Sequence, residues 1–189
     1  AEVIWKQRDQ FMNEGRPRSQ KMPVTVFFSD LRGFTSVSEK MDPQELIEWL
    51  NTYMEAMTRL IMDHGGVVDD YAGDGIKANF GVPVPRKSEA EVRTDVVNAI
   101  ECALAMEREM AHLNREWQKT GLPSMGIRVG IFTGVVVAGL LGSPQRLKYT
   151  TVGDTVNIAS RLENYDKAIG KDRVCRIIIG ETTLRYLDG

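Results

Sequence analysis

Three groups of residues in this chain have the types and spacing to do chemistry. Asp30 closes the apolar run Val24-Thr25-Val26-Phe27-Phe28-Ser29 and is followed at once by Leu31-Arg32-Gly33-Phe34-Thr35. Val24, Val26 and Phe28 alternate with Thr25, Phe27 and Ser29, the period of a strand, so Asp30 stands where the chain leaves a sheet. A carboxylate beside a glycine turn of free backbone N–H groups suits a metal-bound phosphate; an Asp at a strand end is also an ordinary turn residue. Asp74 occupies the tip of a hairpin made from VVDDYA and IKANF around Gly73-Asp74-Gly75, where Asp-Gly needs no chemistry to explain it. Together the two gain meaning. Aspartates from neighbouring strand ends can share two divalent cations, about 3.5–4 Å apart in such sites, that clamp both sides of a phosphoryl displacement. Mg²⁺ characteristically takes one or two carboxylates plus substrate phosphates. The third group is Asn157 and Arg161 in GDTVNIASR. At i and i+4 they project from one helix face, a forked cation for phosphate beside an amide for a hydroxyl or ribose oxygen. A solvent-facing polar pair has the same spacing.

The elements that position these groups are legible in outline. A strand over 23–30 precedes a helix that starts at Asp42-Pro43-Gln44-Glu45, a cap with Pro at the first helical position. Its apolar face runs through Leu46, Trp49, Leu50, Tyr53, Met57, Leu60 and Ile61 to about His64, which faces the last carbonyls of the helix rather than a metal. The hairpin over 67–80 follows. Ser88 with Glu91 caps a second long helix. Gly126–Phe132 and Val135–Leu141 read as strands joined through Thr133-Gly134, then come the loop Gly142–Leu147, the strand piece Tyr149–Val152, a helix from Asp154 to Tyr165, the strand Val174–Ile179 and a terminal helical turn. Strands interleaved with helices in this way predict an α+β, ferredoxin-like or palm-type sandwich with helices on one face of a mostly antiparallel sheet.

Composition narrows the function classes. The 189 residues fit one domain over 23–189, preceded by a linker or coupling segment over 1–22 that carries Ile4, Trp5, Phe11 and Met12. A net charge of −2 gives no global attraction to nucleic acid, so a polyanion must be held locally. Cys102 and Cys175 lack ligand spacing and read as free thiols of a reducing, cytoplasmic compartment. No apolar run reaches 18 residues and no leader pattern opens the chain, so any membrane tether belongs to other regions.

FSDLRGFT, the hairpin ending in AGDGI, GIFTG-VVVAGLLG and YTTVGDTVNIASRLE together resemble the catalytic domain of class III nucleotidyl cyclases, from about Val24 to the chain end. The resemblance implies a head-to-tail homodimer with a site at each interface and two Mg²⁺ or Mn²⁺ ions per site. Asp30 and Asp74 would bind the metals with the Leu31 carbonyl. The Gly33-Phe34-Thr35 turn would cradle the β- and γ-phosphates, with Arg32 beside it among the substrate-binding residues. From the other subunit, Asn157 would orient the ribose and Arg161 would stabilise charge on the α-phosphate. The reaction would be attack of the ribose 3′-hydroxyl on the α-phosphate, releasing pyrophosphate. The family also continues into a final strand pair with a triphosphate-binding lysine, a role no residue here takes. The Gly-Gly-Asp/Glu-Glu-Phe turn of palm-type diguanylate cyclases is not matched by His64-Gly65-Gly66-Val67-Val68. A degenerate domain that only dimerises or senses nucleotide is the non-enzymatic alternative.

Purine choice in the family rests on two positions, which fall on Asp70 and Thr150. Thr150 matches the adenylate pattern; Asp70, acceptor-only, resembles a shortened guanylate Glu. ATP is the favoured substrate and GTP the alternative, with a regulatory domain expected upstream. Lys77 stands where the family has an apolar residue. A turn on Gly73-Asp74 sets it opposite Asp70, to pair with that carboxylate or give the base its ammonium; a turn on Asp74-Gly75 would set Asn79 there instead.

Overall fold

A computed structural model describes residues 12–13, 16–17, 19–143, 145–166 and 168–187. Ile4, Trp5 and Phe11 of the N-terminal segment lie outside these. Its described part pairs β1 (Met12–Asn13) with β2 (Arg16–Pro17). The strand that carries Asp30 is longer than its apolar run: β3 spans Gln20–Arg32. Gly33, with φ of 78°, turns the chain from β3 directly into α1 (Phe34–Ser38), a short helix ahead of the expected one. Then come α2 (Pro43–Asp63), β4 (Val67–Ala72), β5 (Gly75–Phe80) and α3 (Glu89–Lys119). The caps form as their residues dictate. The Asp42 carboxylate accepts from the Gln44 and Glu45 N–H groups, Ser88 and Glu91 close a capping box, and His64 Nδ1 lies 2.7 Å from the Leu60 carbonyl.

The rest of the chain is β6 (Gly126–Ser143), β7 (Arg146–Val152), α4 (Asp154–Asn164), β8 (Cys175–Ile179) and α5 (Glu181–Arg185). The break expected at Thr133-Gly134 does not occur. Thr133 pairs with Thr25 and Gly134 with Val24, and the ladder runs through both. Thr133 is buried, its Oγ1 3.0 Å from that of Thr25. A Cβ on Gly134 would come within 2.6 Å of Thr155 Oγ1, so this glycine admits a helix rather than making a turn.

One six-stranded sheet results, in order β4-β5-β3-β6-β7, with β8 parallel to β6 and the other pairings antiparallel. The connection β3-α2-β4-β5-α3-β6 in that order is the expected ferredoxin-like unit. On one face, Phe27, Leu31, Ile76, Ile127 and Ile131 pack against Trp49, Tyr53, Met57 and Ile61 of α2 and Met106 and Met110 of α3. Alternation sends Met22, Val24 and Val26 to the other face, where they meet Val136, Ala138 and Ala159 of α4. The far half of β6 carries β7 back towards β4, so the two ends of the sheet order come into contact. Both cysteines are buried and free, and burial pushes each thiol up to about 12.

Candidate active site

The hairpin turns on Gly73-Asp74, with Ala72 opposite Gly75. Its tip lies against the end of β3. Leu31 N–H donates to Asp74 Oδ2 at 3.0 Å, and a Cβ on Gly75 would lie 3.7 Å from Asp30 Oδ1. Two carboxylates, one from the end of β3 and one from the β4–β5 turn, are thus brought side by side. Burial, then the hydrogen bond and charge of Asp30, push the Asp74 carboxyl up to about 7. Two like charges held this close call for a cation, and their hard oxygen donors suit Mg²⁺ or Mn²⁺. Among the described residues no group of three or more His, Cys, Asp or Glu side chains is placed to hold a metal. A cation here therefore needs further oxygens from backbone or substrate.

Among the described residues, one protein cation stands beside Asp30. The guanidinium of Arg128, opposite Asp30 on β6, bonds Asp30 Oδ2 through Nη2. Arg128 Nε lies 2.9 Å from Glu163 Oε1 of α4. Neither Arg128 nor Glu163 stood out in the sequence. The available signal was an arginine inside the strand run Gly126-Ile-Arg-Val-Gly-Ile-Phe. Arg32 is used differently from the expectation that it binds substrate. Its guanidinium passes over Gly126, where a Cβ would come within 2.4 Å, and donates to the carbonyls of Gly170, Lys171 and Arg173. It is a strut between β3 and the loop before β8. Gly33, Phe34 and Thr35 open α1, whose first N–H groups have no partner within the helix.

Thr155, Ala159 and Glu163, four residues apart, are the buried side of α4. Asn157 and Arg161 fall midway between them, on the opposite side of the helix. Both are exposed, and among the described residues neither side chain has a hydrogen bond or ion pair. One chain therefore assembles Asp30 with Asp74 but turns Asn157 and Arg161 away from them.

The two positions expected to choose the purine, Asp70 and Thr150, lie where β4 approaches β7. Lys77 and Asp70 are directly opposed in the ladder, as the Gly73-Asp74 turn requires, yet they do not pair. A bulge between Val68 and Asp70 turns Asp69 inward instead. Lys77 Nζ lies 2.6 Å from Asp69 Oδ2 and donates to the Thr151 carbonyl at 2.8 Å and Thr150 Oγ1 at 3.3 Å. All three ammonium protons are used, so Lys77 is a lock between strands and has no proton left for a base. Thr150 Oγ1 in turn donates to Asp69 Oδ2 at 2.9 Å. Asp70 takes a different lysine, with Lys148 Nζ 2.7 Å from its Oδ2 and 3.2 Å from Asp69 Oδ1. Lys148 remains 39 % exposed. Asp69 and Lys148 were not legible as site residues; the adjacent aspartates 69 and 70, inside a strand, were the only hint.

Comparison with known proteins gives this geometry its context. The profile of the adenylate and guanylate cyclase catalytic domain matches residues 17–188. Adenylate cyclase 1 of Rhizobium meliloti is 37% identical over 150 residues, 79% of this chain and 22% of that protein, so the chain spans about a fifth of that relative's length. The crystal structure of the adenylyl cyclase CyaB from P. aeruginosa is 33% identical with a TM-score of 0.81, covering 90% of this chain and 83% of that one. The guanylyl cyclase Cya2 is 37% identical with a TM-score of 0.78, covering 89% and 79%. With its paired aspartates at the β3 end and hairpin tip, this chain belongs to the family of adenylate and guanylate cyclase catalytic domains.

Proposed function

We propose that this domain converts ATP to 3′,5′-cyclic AMP and pyrophosphate in sites shared between two copies of the chain. The observation that carries the proposal is the division of the machinery described above. Asp30 and Asp74 converge within one chain, while Asn157 and Arg161 point outward from α4, available to a neighbour. Asp30 and Asp74, with the Leu31 carbonyl, would hold two divalent cations. Bound there, they would lower the pKa of the ribose 3′-hydroxyl and steady the triphosphate. The opening turn at Gly33, Phe34 and Thr35 offers its N–H groups to the β- and γ-phosphates. Asn157 of a second copy orients the ribose, and Arg161 faces the charge that builds on the α-phosphate as the hydroxyl attacks.

The relatives include both adenylate and guanylate cyclases at similar identity, so base choice rests on this chain's own residues. Thr150 and Lys148 lie on one side of β7, two residues apart. Lys148 keeps a proton not used by Asp69 or Asp70, a donor for adenine N1, and the Thr150 oxygen can accept from N6. Asp70, an acceptor where adenylate cyclases place a lysine, is the feature that favours GTP. The regulatory region would lie in the parts of a longer protein that this chain does not span. No helix among the described residues is long and apolar enough to cross a membrane.

The first test is pyrophosphate release from ATP and GTP with Mg²⁺ or Mn²⁺. Release from ATP that falls at least about 10²-fold in Asp30→Ala is expected; no release from either nucleotide would leave a binding or dimerisation module. Mixing Asp30→Ala with Arg161→Ala chains restores part of the activity, because one interface of the heterodimer is intact. No recovery in a proven heterodimer would overturn the shared site. Lys148→Met is expected to lower the ATP to GTP ratio of kcat/KM by about tenfold, the worth of one donor to the base. An unchanged ratio would remove Lys148 from base selection.

A further inference from the structure

Arg128 is buried and sits between two carboxylates that belong to different parts of the machinery. One is Asp30, at the proposed metal site. The other is Glu163, on the buried side of the helix whose outer side carries Asn157 and Arg161. The fold makes the bridge possible. Gly130, two residues beyond Arg128 on β6, has no room for a side chain, since a Cβ there would lie 2.2 Å from Glu163 N and 2.4 Å from the Ala159 carbonyl. The backbone of α4 therefore rests directly on the strand. Arg176 of β8 holds the end of that helix, donating to the carbonyls of Glu163, Tyr165 and Asp166.

A buried guanidinium stripped of its partner is strongly destabilising. If Asp30 were its sole counter-charge, a cation binding Asp30 would have to bear that cost. Glu163 removes it, because Arg128 keeps a carboxylate when Asp30 turns to a metal. The 2.9 Å contact to Glu163 thus gives Arg128 a second counter-charge besides Asp30.

We propose that Arg128 and Glu163 are positioning residues: Glu163 holds Arg128 as Asp30 passes to a divalent cation, joining the metal site to the helix that serves the neighbouring site. The link between sites rests on the shared-site reading above; the effect of Glu163 on metal affinity does not. Electrostatics set opposite signs for the two residues. Arg128→Gln removes a competitor for Asp30 and tightens cation binding. Glu163→Gln leaves Arg128 to Asp30 alone and weakens it, although residue 163 is not itself a ligand in this proposal. Because Glu163 acts through Arg128, its effect disappears once Arg128 is gone.

The test is Mn²⁺ titration by electron paramagnetic resonance, with 3′-deoxy-ATP present, which cannot cyclise. Expected changes in Kd are about fivefold up in Glu163→Gln and about fivefold down in Arg128→Gln, with Arg128→Gln/Glu163→Gln matching Arg128→Gln. The double variant leaves neither charge stranded, so it stays informative where a single variant unfolds. A double variant that binds Mn²⁺ no tighter than wild type overturns the proposal. So does a folded Glu163→Gln protein with unchanged Kd. Wild-type chain that binds no Mn²⁺ would overturn the metal reading of Asp30 and Asp74 first.

Discussion

Two pairs of aspartates meet at the same hairpin, Asp69 with Asp70 on β4 and Asp30 with Asp74 at its tip, and are treated in opposite ways. Asp69 and Asp70 are supplied with lysines by the protein itself, Lys77 and Lys148. Burial pushes the Asp69 carboxyl up, but the Lys77 ammonium, with Thr150 and Asn79, holds it below its ordinary value. Asp30 and Asp74 are pressed together with a single arginine that is also drawn to Glu163, and Asp74 rises to about 7. The first pair is electrostatically complete and fastens β4 to β7. The second lacks such lysines among the described residues, an imbalance that suits the cation site proposed above. Clustering of acidic residues alone does not separate the two; the placement of the lysines does.

The largest effect on stability should come from breaking the complete pair. Asp69→Asn leaves the Lys77 ammonium, only 13 % exposed, without its 2.6 Å counter-charge. Removing one partner of such a pair costs about 3 kcal/mol, and for a domain of this size about 2–4 °C in Tm per kcal/mol. A thermal melt at pH 7 should fall by roughly 6–12 °C. A fall under about 2 °C would mean that the β4–β7 clasp does not hold the sheet ends together. The pH sign follows from the depressed carboxyl. Its contribution is complete above the unfolded value near 4 and is lost as pH drops through the lower folded value.

Asp74→Asn should do the reverse in metal-free protein. Its raised carboxyl makes the folded state lose stability as pH climbs from about 4 towards 7, because the like charges are forced to ionise together. Removing one charge should therefore stabilise. Asp74 is half-buried, so solvent screening reduces the gain to about 1 kcal/mol, or roughly 2–4 °C at pH 8. The difference from wild type should shrink at pH 5, and saturating Mn²⁺ should stabilise wild type alone. A metal-free variant that melts lower than wild type at pH 8 would show that Asp74 is held by partners after all.

These contrasts also explain what could be read in the sequence. Asp30 and Asp74 were legible because local pattern places them, one at the end of an alternating run and one at a Gly-Asp-Gly tip. The helix starts at Asp42-Pro43 and Ser88 were legible for the same reason, since capping is chemistry over three or four residues. Thr133-Gly134 misled because a glycine needed for close approach of α4 looks identical to one needed for a turn. Asp69, Lys148, Arg128 and Glu163 were out of reach. Their charged partners lie 35 or more residues away, except for the Asp69–Lys77 pair, where a one-residue bulge redirects the side chain.

The finest contrast lies inside the complete pair. Asp70 is the neighbour of Asp69 and is bound at nearly the same distance, 2.7 Å to Lys148, but its side chain is 59 % exposed against 1 % for Asp69. An ion pair that stays in water gains little from its Coulomb attraction and loses side-chain freedom to hold its geometry, so it is worth about 0–1 kcal/mol. Asp70→Asn should accordingly shift Tm by no more than about 3 °C, and that shift should vanish in high salt, which screens exposed charges but not buried ones. Its effect should instead appear in catalysis. Lys148 released from Asp70 is freer to meet the base, so the ATP to GTP ratio of kcat/KM should rise by a few-fold, the worth of one exposed charge contact. A Tm loss as large as that of Asp69→Asn would make Asp70 part of the clasp, and a falling ratio would show that Asp70 itself reads adenine.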